Sequence, residues 1–175
     1  EGAQGFYLDI DHGRYPYVTS SITLPYGACS LGFSPKKIND IWGLCKLYDT
    51  RSGMDPMFPK SLLLNKTLLE LGDLGKEYGV TTGRRRICNW LNLDYLINAI
   101  NKSGTTHLVI NKCDIVSKLG VFKLFYRDEE LTFSSIDCMK NFINTTLDRE
   151  CFEKLSFIKF SSDPENSFEI LKMKF

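Results

Sequence analysis

The sequence predicts an α/β protein with a mostly parallel central sheet, helices on both faces and long ligand-binding loops. Short apolar stretches typical of buried strands alternate with stretches of helical spacing, and this alternation is characteristic of parallel sheets connected by helices. Polar, glycine-containing loops interrupt the pattern, and such loops often carry binding residues. The 175 residues, 43% of them hydrophobic, are enough for one core, so we expect residues 1–175 to form a single region.

Each element is predicted from the spacing of apolar and turn-forming residues. Residues 1–33 show no sustained helical period, so we expect loops around a short extended piece at residues 6–10. Ser34 and Pro35 are typical of a capped first turn. The expected strands are residues 41–48, 106–110, 121–126 and 155–160, the expected helices are residues 67–78, 93–100 and 136–147, and further loops are expected at residues 50–59 and 81–86.

The composition argues against several classes of function. The 22 Lys and Arg residues balance 21 Asp and Glu residues, so no overall field favours nucleic acid or an anionic membrane. No stretch reaches the roughly 18 apolar residues of a membrane helix, and no secretory leader opens the chain, so a cytoplasmic protein is expected. The six cysteines are scattered, so neither a zinc site nor a disulfide framework is predicted.

The string Asn111-Lys112-Cys113-Asp114 follows an apolar strand and is the strongest local signal for a ligand. A carboxylate at Asp114 can accept hydrogen bonds from N1–H and from the 2-amino group of guanine, a donor pair that adenine lacks. Lys112 can lay its aliphatic stem along the base. The string is short and also arises by chance, so from these residues alone both interpretations stay open.

Residues 81–86, Thr-Thr-Gly-Arg-Arg-Arg, match the chemistry of a small anion. They combine hydroxyl groups, a glycine that lets backbone N–H groups approach, and three guanidinium groups. A solvated basic loop or a nucleic-acid patch has a similar composition. The run is short and has no interleaved aromatic residues, so we favour an anion clamp.

Two strings near the start of the chain also offer polar groups to a ligand. Gln4 lies between glycines in Glu-Gly-Ala-Gln-Gly, and residues 15–21 supply two aromatic rings and three hydroxyls. Each string is a weak signal by itself, and the second also fits an ordinary packed loop. His12 has neither a nucleophile nor metal-ligand spacing nearby, so a structural role is favoured for it.

Taken together, in this order and spacing, the strings resemble the adenylosuccinate synthetase family. They are E-G-A-Q-G-x-x-L-D-I-D-x-G-x-Y-P-Y-V-T-S-S at residues 1–21, T-R-x-G at 50–53 with F-P at 58 and 59, T-T-G-R-R-R at 81–86, and N-K-x-D at 111–114. The resemblance is close from residue 1 to about residue 130. It implies a ligase that uses GTP to join L-aspartate to IMP, with Mg²⁺ on the nucleotide, in a cytoplasmic homodimer that binds neither nucleic acid nor membrane.

The resemblance also implies a role for individual residues. IMP would be bound by Gln4, Thr19, Ser52 and Arg84. Aspartate would be bound by Val80, Thr81, Thr82, Gly83, Arg84, Arg85 and Arg86. GTP would be bound by Arg86, Lys112, Cys113, Asp114, Ser161, Ser162 and Asp163, while no metal ligand is assigned within this chain.

The resemblance further implies that the chain is the carboxyl-terminal part of a compact family member. The catalytic Asp, its His partner and the Mg²⁺ ligands are then expected in a missing amino-terminal part, because no G-D-E-G-K-G segment occurs in the 175 residues. No catalytic residue is assigned, and the piece is expected to be inactive alone. Two departures affect binding loops: Met54-Asp55-Pro56 replaces a glycine-rich turn, and residues 161–166 lack the Gly and Arg of the family's S-T-G-P-D-R.

Three other hypotheses remain beside the IMP ligase. A related viral-type ligase would act on a guanine nucleotide. The stretch between Asp114 and Ser161 is as short as in the compact forms of some archaea and viruses, and the resemblance to viral forms implies this alternative. A non-catalytic GTP-binding module would need only the N-K-x-D string, and a non-catalytic remnant would only pair with other subunits. Neither the GTP-binding module nor the remnant explains why Gln4, Thr19 and the arginine loop occur together with Asp114.

Overall fold

A computed structural model describes residues 4–80 and 83–162 of the chain. Seven strands and four helices alternate in the order β1 Trp42–Lys46, β2 Tyr48–Arg51, α1 Lys66–Leu74, β3 Ile87–Asn92, α2 Leu93–Ser103, β4 His107–Asn111, α3 Cys113–Leu119, β5 Phe122–Tyr126, β6 Glu129–Phe133, α4 Ile136–Glu150 and β7 Phe157–Phe160. Short 3-10 turns cover Phe6–Leu8, Pro25–Leu31, Pro35–Lys37 and Lys60–Leu64. The predicted extended piece at residues 6–10 is wrong, because a 3-10 turn occupies most of it.

The strands form two sheets. The first has the order β1–β4–β7 and is parallel throughout. The second has the order β2–β3–β5–β6, in which β3 and β5 are parallel while β2 and β6 pair antiparallel at its edges. The predicted α/β class with a parallel sheet is confirmed, and the mixed second sheet is an addition to it.

One extended stretch connects the two sheets. β1 pairs with β4 in the first sheet, and after Leu47 the same stretch continues as β2 in the second sheet. Leu47 donates its backbone N–H to the carbonyl of Asn111, so the first sheet extends to this residue. β2 therefore begins beside the carboxyl end of β4.

Both sheets and all four helices contribute to one buried cluster. β4 is buried from His107 to Ile110, as expected for the central strand of a covered parallel sheet. Helix α1 packs against α3 and β3, while α2 and α4 pack against β5 and each other. The side chains with 1% exposure or less include Leu71, Leu93, Leu108, Ile110, Leu124, Met139, Ile143 and Leu147.

Polar caps begin the main helices. The side chains of Asn65, Asn92 and Ser135 accept backbone N–H bonds at the starts of α1, α2 and α4, which satisfies donors that a helix start leaves unpaired. Helices α2 and α4 lie where the spacing predicts them. Helix α1 ends four residues before the predicted end, because Lys76 adopts φ 52° and Glu77 donates its N–H to the carbonyl of Gly72 at 2.8 Å.

Among residues 4–80 and 83–162, no helix has both the length and the apolar character required to cross a membrane.

Candidate functional site

The residues predicted to flank guanine lie together at one edge of the parallel sheet. Because β1, β4 and β7 run in the same direction, their carboxyl ends meet at that edge, which is where open α/β sheets place ligands. Lys46 pairs with Asn111 there, and Ile110 pairs with Phe160. Residues 111–114 and 161–162 therefore lie together, although about fifty residues separate them in sequence.

Backbone hydrogen bonds fix the string Asn111-Lys112-Cys113-Asp114 against the end of β7. Ser161 donates its N–H to the carbonyl of Ile110 at 2.8 Å, and Cys113 donates its N–H to the carbonyl of Ser161 at 3.1 Å. Lys112 has a left-handed conformation (φ 65°) at the start of α3, and its Nζ donates to the carbonyl of Gly75 at 3.1 Å. The structure thus brings together Lys112, Cys113, Asp114, Ser161 and Ser162, while Asp163 lies outside the described residues.

The two carboxylate oxygens of Asp114 have different surroundings. Its Oδ2 lies 3.4 Å from Nζ of Lys118, one turn further along α3. Its Oδ1 is buried and has no hydrogen-bond partner within the described part of the chain. Because an unsatisfied buried acceptor costs free energy, this oxygen is an observation that points to a ligand donor.

Backbone hydrogen bonds close the base of the arginine loop. Gly79 donates its N–H to the carbonyl of Arg84, and Gly83 donates to the carbonyl of Gly79, both at 2.8 Å. Val80 is 97% exposed, and Gly83 has the positive φ of 63° that a turn requires. The tip also contains Thr81 and Thr82, which lie outside the described residues, so their predicted roles are not examined by the geometry.

The arginines of this loop have different surroundings. Arg85 lies over helix α1, where it is 2.8 Å from the carboxylate of Asp73 and donates to the carbonyl of Leu69 at 2.6 Å. Arg86 instead lies 3.2 Å from the carboxylate of Glu77. Arg84 is exposed beside the loop tip. Aspartate binding by all three stays a prediction, and for Arg85 it requires release from α1.

Glu77 joins the arginine loop to the edge of the sheet. Its carboxylate, only 3% exposed, accepts hydrogen bonds from Nζ of Lys46 at 2.7 and 2.8 Å, from the hydroxyl of Tyr48 at 2.7 Å and from Arg86 at 3.2 Å. Burial opposes the charge, yet the bonds from Lys46 and Tyr48 hold the pKa of the Glu77 carboxyl below its usual value. Glu77 is therefore an anion with three partners at the centre of the site.

Buried Asp9 organises the loop that carries Thr19. Its carboxylate accepts backbone N–H bonds from Asp11 at 2.9 Å, His12 at 3.0 Å and Thr23 at 2.5 Å. Burial would raise the pKa of the Asp9 carboxyl, but these three donors hold it below its usual value. Thr19 is half-buried and donates its N–H to the carbonyl of Leu8 at 2.7 Å, so its position is fixed by the same loop.

Gln4 lies on the rim of a cavity of about 550 Å³ formed by the first loops. The cavity is lined by Gln4, Ser21, Ile22, Thr23, Leu24, Pro25, Gly27, Ala28, Ser30 and Leu31. Its lining mixes backbone, hydroxyl and apolar groups, as small-molecule sites do.

Arg14, Asp55 and Arg51 hold the Thr19 loop against the loop that contains Ser52. Nη1 of Arg14 lies 3.1 Å from both oxygens of Asp55, and Nε of Arg51 lies 3.4 Å from Oδ2. Arg51 also donates through Nη2 to the carbonyl of Tyr17. Two of the predicted IMP contacts, Thr19 and the exposed Ser52, are thus carried by loops that touch each other.

Sequence reasoning missed the charged residues that support the site. Glu77 and Lys46 were part of a predicted helix and a predicted strand, and Asp9 was part of a predicted extended piece. The available signals were a carboxylate shortly before an arginine run and a lysine at the end of an apolar strand. The sequence shows that Met54-Asp55-Pro56 replaces a glycine-rich turn, but it did not predict the ion pair between Asp55 and Arg14.

The described residues do not fit a magnesium site by themselves. No group of three or more His, Cys, Asp or Glu side chains that could hold a metal ion occurs among residues 4–80 and 83–162. No chemical step is therefore assigned to a metal held by these residues.

The fold and the site define an α/β protein whose candidate ligand site lies on the carboxyl edge of a parallel sheet, surrounded by long loops. The family model for adenylosuccinate synthetase matches residues 1–131. The chain therefore belongs to the adenylosuccinate synthetase family.

Individual relatives agree with this family. The chain is 45% identical over 129 residues to an adenylosuccinate synthetase of Syntrophus aciditrophicus, covering 71% of this chain and 28% of the relative. It is 51% identical over 127 residues to one of Thermodesulfovibrio yellowstonii, with the same coverage. A solved structure of fully ligated adenylosuccinate synthetase from Plasmodium falciparum is similar, with a TM-score of 0.75, 27% identity, and coverage of 91% of this chain and 46% of that chain. The chain thus spans 28% of the length of the two bacterial relatives and 46% of the solved structure.

The comparisons correct one prediction. The family match lies at the amino-terminal side of this chain and ends at residue 131, and the matched region covers 28% of the relatives. The prediction that the chain as a whole is the carboxyl-terminal part of the family domain is therefore wrong.

Proposed function

We propose that the protein carrying this chain is an adenylosuccinate synthetase that joins L-aspartate to IMP at the expense of GTP. The products are adenylosuccinate, GDP and phosphate. Family membership supports this proposal, and one structural observation carries it: Oδ1 of Asp114 is a buried acceptor without a protein partner in the described chain. An acceptor at that place suits the N1–H and 2-amino donors of guanine.

The residues around the sheet edge are assigned to the three substrates as follows. Lys112, Cys113, Asp114, Ser161, Ser162 and Asp163 flank guanine. Gln4, Thr19, Ser52 and Arg84 contact IMP, and residues 80–86 enclose aspartate. Arg86 serves both aspartate and GTP, which suits its place at the end of the arginine loop, where it and Lys46 both bond the Glu77 carboxylate.

The proposed reaction has two stages. The γ-phosphate of GTP is transferred to O6 of IMP, which forms a C–O–P bond and turns a poor leaving group into a good one. The amine of aspartate then attacks C6 and the phosphate leaves with O6, so a C–N bond replaces the C–O bond. The arginines neutralise the carboxylates of aspartate without engaging its amine, and closure of the loop brings the reactants together.

The cofactor, assembly and location are proposed at the level of the family. GTP is the co-substrate and Mg²⁺ accompanies its phosphates. The active protein is a homodimer in the cytoplasm. In the same proposal, no residue of 1–175 is assigned a catalytic role.

Steady-state assays of the full-length protein test the proposal. Adenylosuccinate should form only when IMP, L-aspartate and GTP are all present, and ATP should not replace GTP. Parallel reactions with dGMP in place of IMP identify a guanine-nucleotide ligase. A protein that binds GTP tightly but turns over neither IMP nor dGMP would be a binding module, and the ligase assignment would fail.

A further inference from the structure

We propose that Glu77 is a positioning residue that holds Arg86 and Lys46 in place for aspartate and GTP, an inference that rests on the proposed function. Nothing in the family's binding strings includes Glu77. Its importance comes from its place between the arginine loop, the end of β1 and the segment that supports Lys112.

The first step is the contact with Arg86. The carboxylate of Glu77 is 3.2 Å from Nη1 of Arg86, and the backbone N–H of Arg86 donates to the carbonyl of Glu77 at 2.9 Å. Arg86 is therefore attached to Glu77 through both its side chain and its backbone. Its guanidinium has five donors in a fixed fork, so fixing one side determines where the others point.

The second step is the balance of charge around Glu77. Lys46 and Arg86 both contact the same carboxylate, and Lys112 is close enough for its charge to act on Lys46. Burial lowers the pKa of Lys46 while Glu77 opposes that shift. Without the Glu77 carboxylate, the positive charges of Lys46, Arg86 and Lys112 would repel one another at the sheet edge. The guanidinium of Arg86 would then move away from Lys46.

The third step is the connection to Lys112. Glu77 donates its N–H to the carbonyl of Gly72, which shapes the turn after α1. The carbonyl of Gly75 in that turn accepts the bond from Nζ of Lys112 at 3.1 Å. Gly75 itself must be glycine, because a Cβ there would collide with the Tyr48 hydroxyl that bonds Glu77. One short turn thus supports both the arginine loop and the guanine-binding lysine.

The test is a pair of substitutions in the full-length protein. Glu77→Gln keeps the size and one acceptor but removes the charge, so KM for aspartate and KM for GTP should each rise about tenfold. KM for IMP should stay within about twofold, because three of its four proposed contacts, Gln4, Thr19 and Ser52, lie on other loops. Glu77→Asp keeps the charge on a shorter arm, so both KM values should lie between those of the wild type and Glu77→Gln.

Glu150→Gln is a matched control. Glu150 also accepts bonds from one tyrosine and two cations, Tyr126 at 2.9 Å and Arg127 and Arg149 at 3.0 Å each, but it lies at the end of α4. Its substitution should leave all three KM values unchanged.

Equilibrium binding of a fluorescent GTP analogue separates this inference from the proposed function. Glu77→Gln should weaken that binding about tenfold even if no turnover occurs. Wild-type turnover with unchanged aspartate and GTP constants in both Glu77 variants would overturn the positioning role alone. An equal rise of all three KM values together with lower thermal stability would show a merely structural role. If Glu77→Gln does not fold, the intermediate KM values expected of Glu77→Asp decide the question.

Discussion

Replacing Asp55 by Asn should destabilise the protein and loosen the loop that carries Thr19. The Asp55 carboxylate lies between Arg14 and Arg51, and its side chain is 1% exposed. Its Oδ1 also accepts the backbone N–H of Met57 at 3.0 Å. Asn keeps the shape and that acceptor but removes the negative charge that both neighbouring arginines contact.

The expected loss follows from the surroundings of the two arginines. Removing one partner from a buried ion pair costs about 3–5 kcal/mol, because the remaining charge stays buried. Arg14 is 23% exposed and stacks on the rings of Tyr7 and Tyr95 at 5.0 and 4.6 Å, so part of its charge is still stabilised. We therefore expect the free energy of unfolding to fall by about 2–3 kcal/mol.

Urea unfolding of the full-length protein measures this change, and hydrogen exchange locates it. Amides of residues 8–23 should exchange faster in Asp55→Asn, whereas those of β4 should not. A double-mutant cycle with Arg14→Met isolates the pair. The exposed ion pair of Asp137 and Lys140, at 3.9 Å, gives the control Asp137→Asn, which should have no measurable effect. The reasoning is refuted if Asp55→Asn lowers the free energy of unfolding by less than about 0.5 kcal/mol, or if amide hydrogen exchange in the Thr19 loop does not change.

Two further predictions concern Asp114 and Asp49. Asp114→Asn replaces a carboxylate, which can accept both hydrogen bonds from guanine, by an amide that has one acceptor and one donor group. In steady-state kinetics, kcat/KM for GTP should therefore fall roughly 100-fold, while KM for IMP should not change. Burial raises the pKa of the Asp49 carboxyl to about 7, although the N–H of Asn92, at 2.9 Å, and the charges of Arg14 and Lys46 oppose the shift. Because the folded value lies above the usual 3.8, the contribution of Asp49 to the free energy of unfolding should fall as pH rises from 4 through 7. Asp49→Asn should therefore gain roughly 3 kcal/mol over the wild type across that window in urea unfolding.

A defined result would contradict each of these two predictions. An Asp114→Asn enzyme with unchanged preference for GTP would mean that guanine is recognised elsewhere. A stability difference between Asp49→Asn and the wild type that is equal at pH 4.5 and pH 8 would mean that Asp49 is ionised throughout.

The central elements of the fold could be predicted because their apolar pattern is strong. β4 contains the β-branched residues Val109 and Ile110 and is buried from His107 to Ile110. Helices α2 and α4 begin with polar caps and carry apolar residues at helical spacing. β3, α3 and β6 were missed for identifiable reasons. β3 mixes Asn89 and Asn92 into its apolar residues, α3 has only seven residues, and β6 begins with two glutamates at an exposed sheet edge.

The binding strings could be placed on loops from sequence, but their convergence could not. Asp114 and Ser161 meet only because β4 and β7 are neighbouring parallel strands, and sequence spacing does not specify strand order. The same holds for Glu77, whose partners Lys46 and Arg86 come from opposite sides of it in the chain. The substrate assignments of the individual residues stay predictions.

The most direct test of the account follows the oxygen at C6 of IMP. The full-length protein is incubated with [6-¹⁸O]IMP, L-aspartate and GTP, and the released phosphate is examined by mass spectrometry. If phosphate is transferred to O6 and then displaced by the aspartate amine, the phosphate carries one ¹⁸O atom for each adenylosuccinate formed. Phosphate containing only ¹⁶O, or adenylosuccinate formed without phosphate release, would contradict the proposed ligase chemistry.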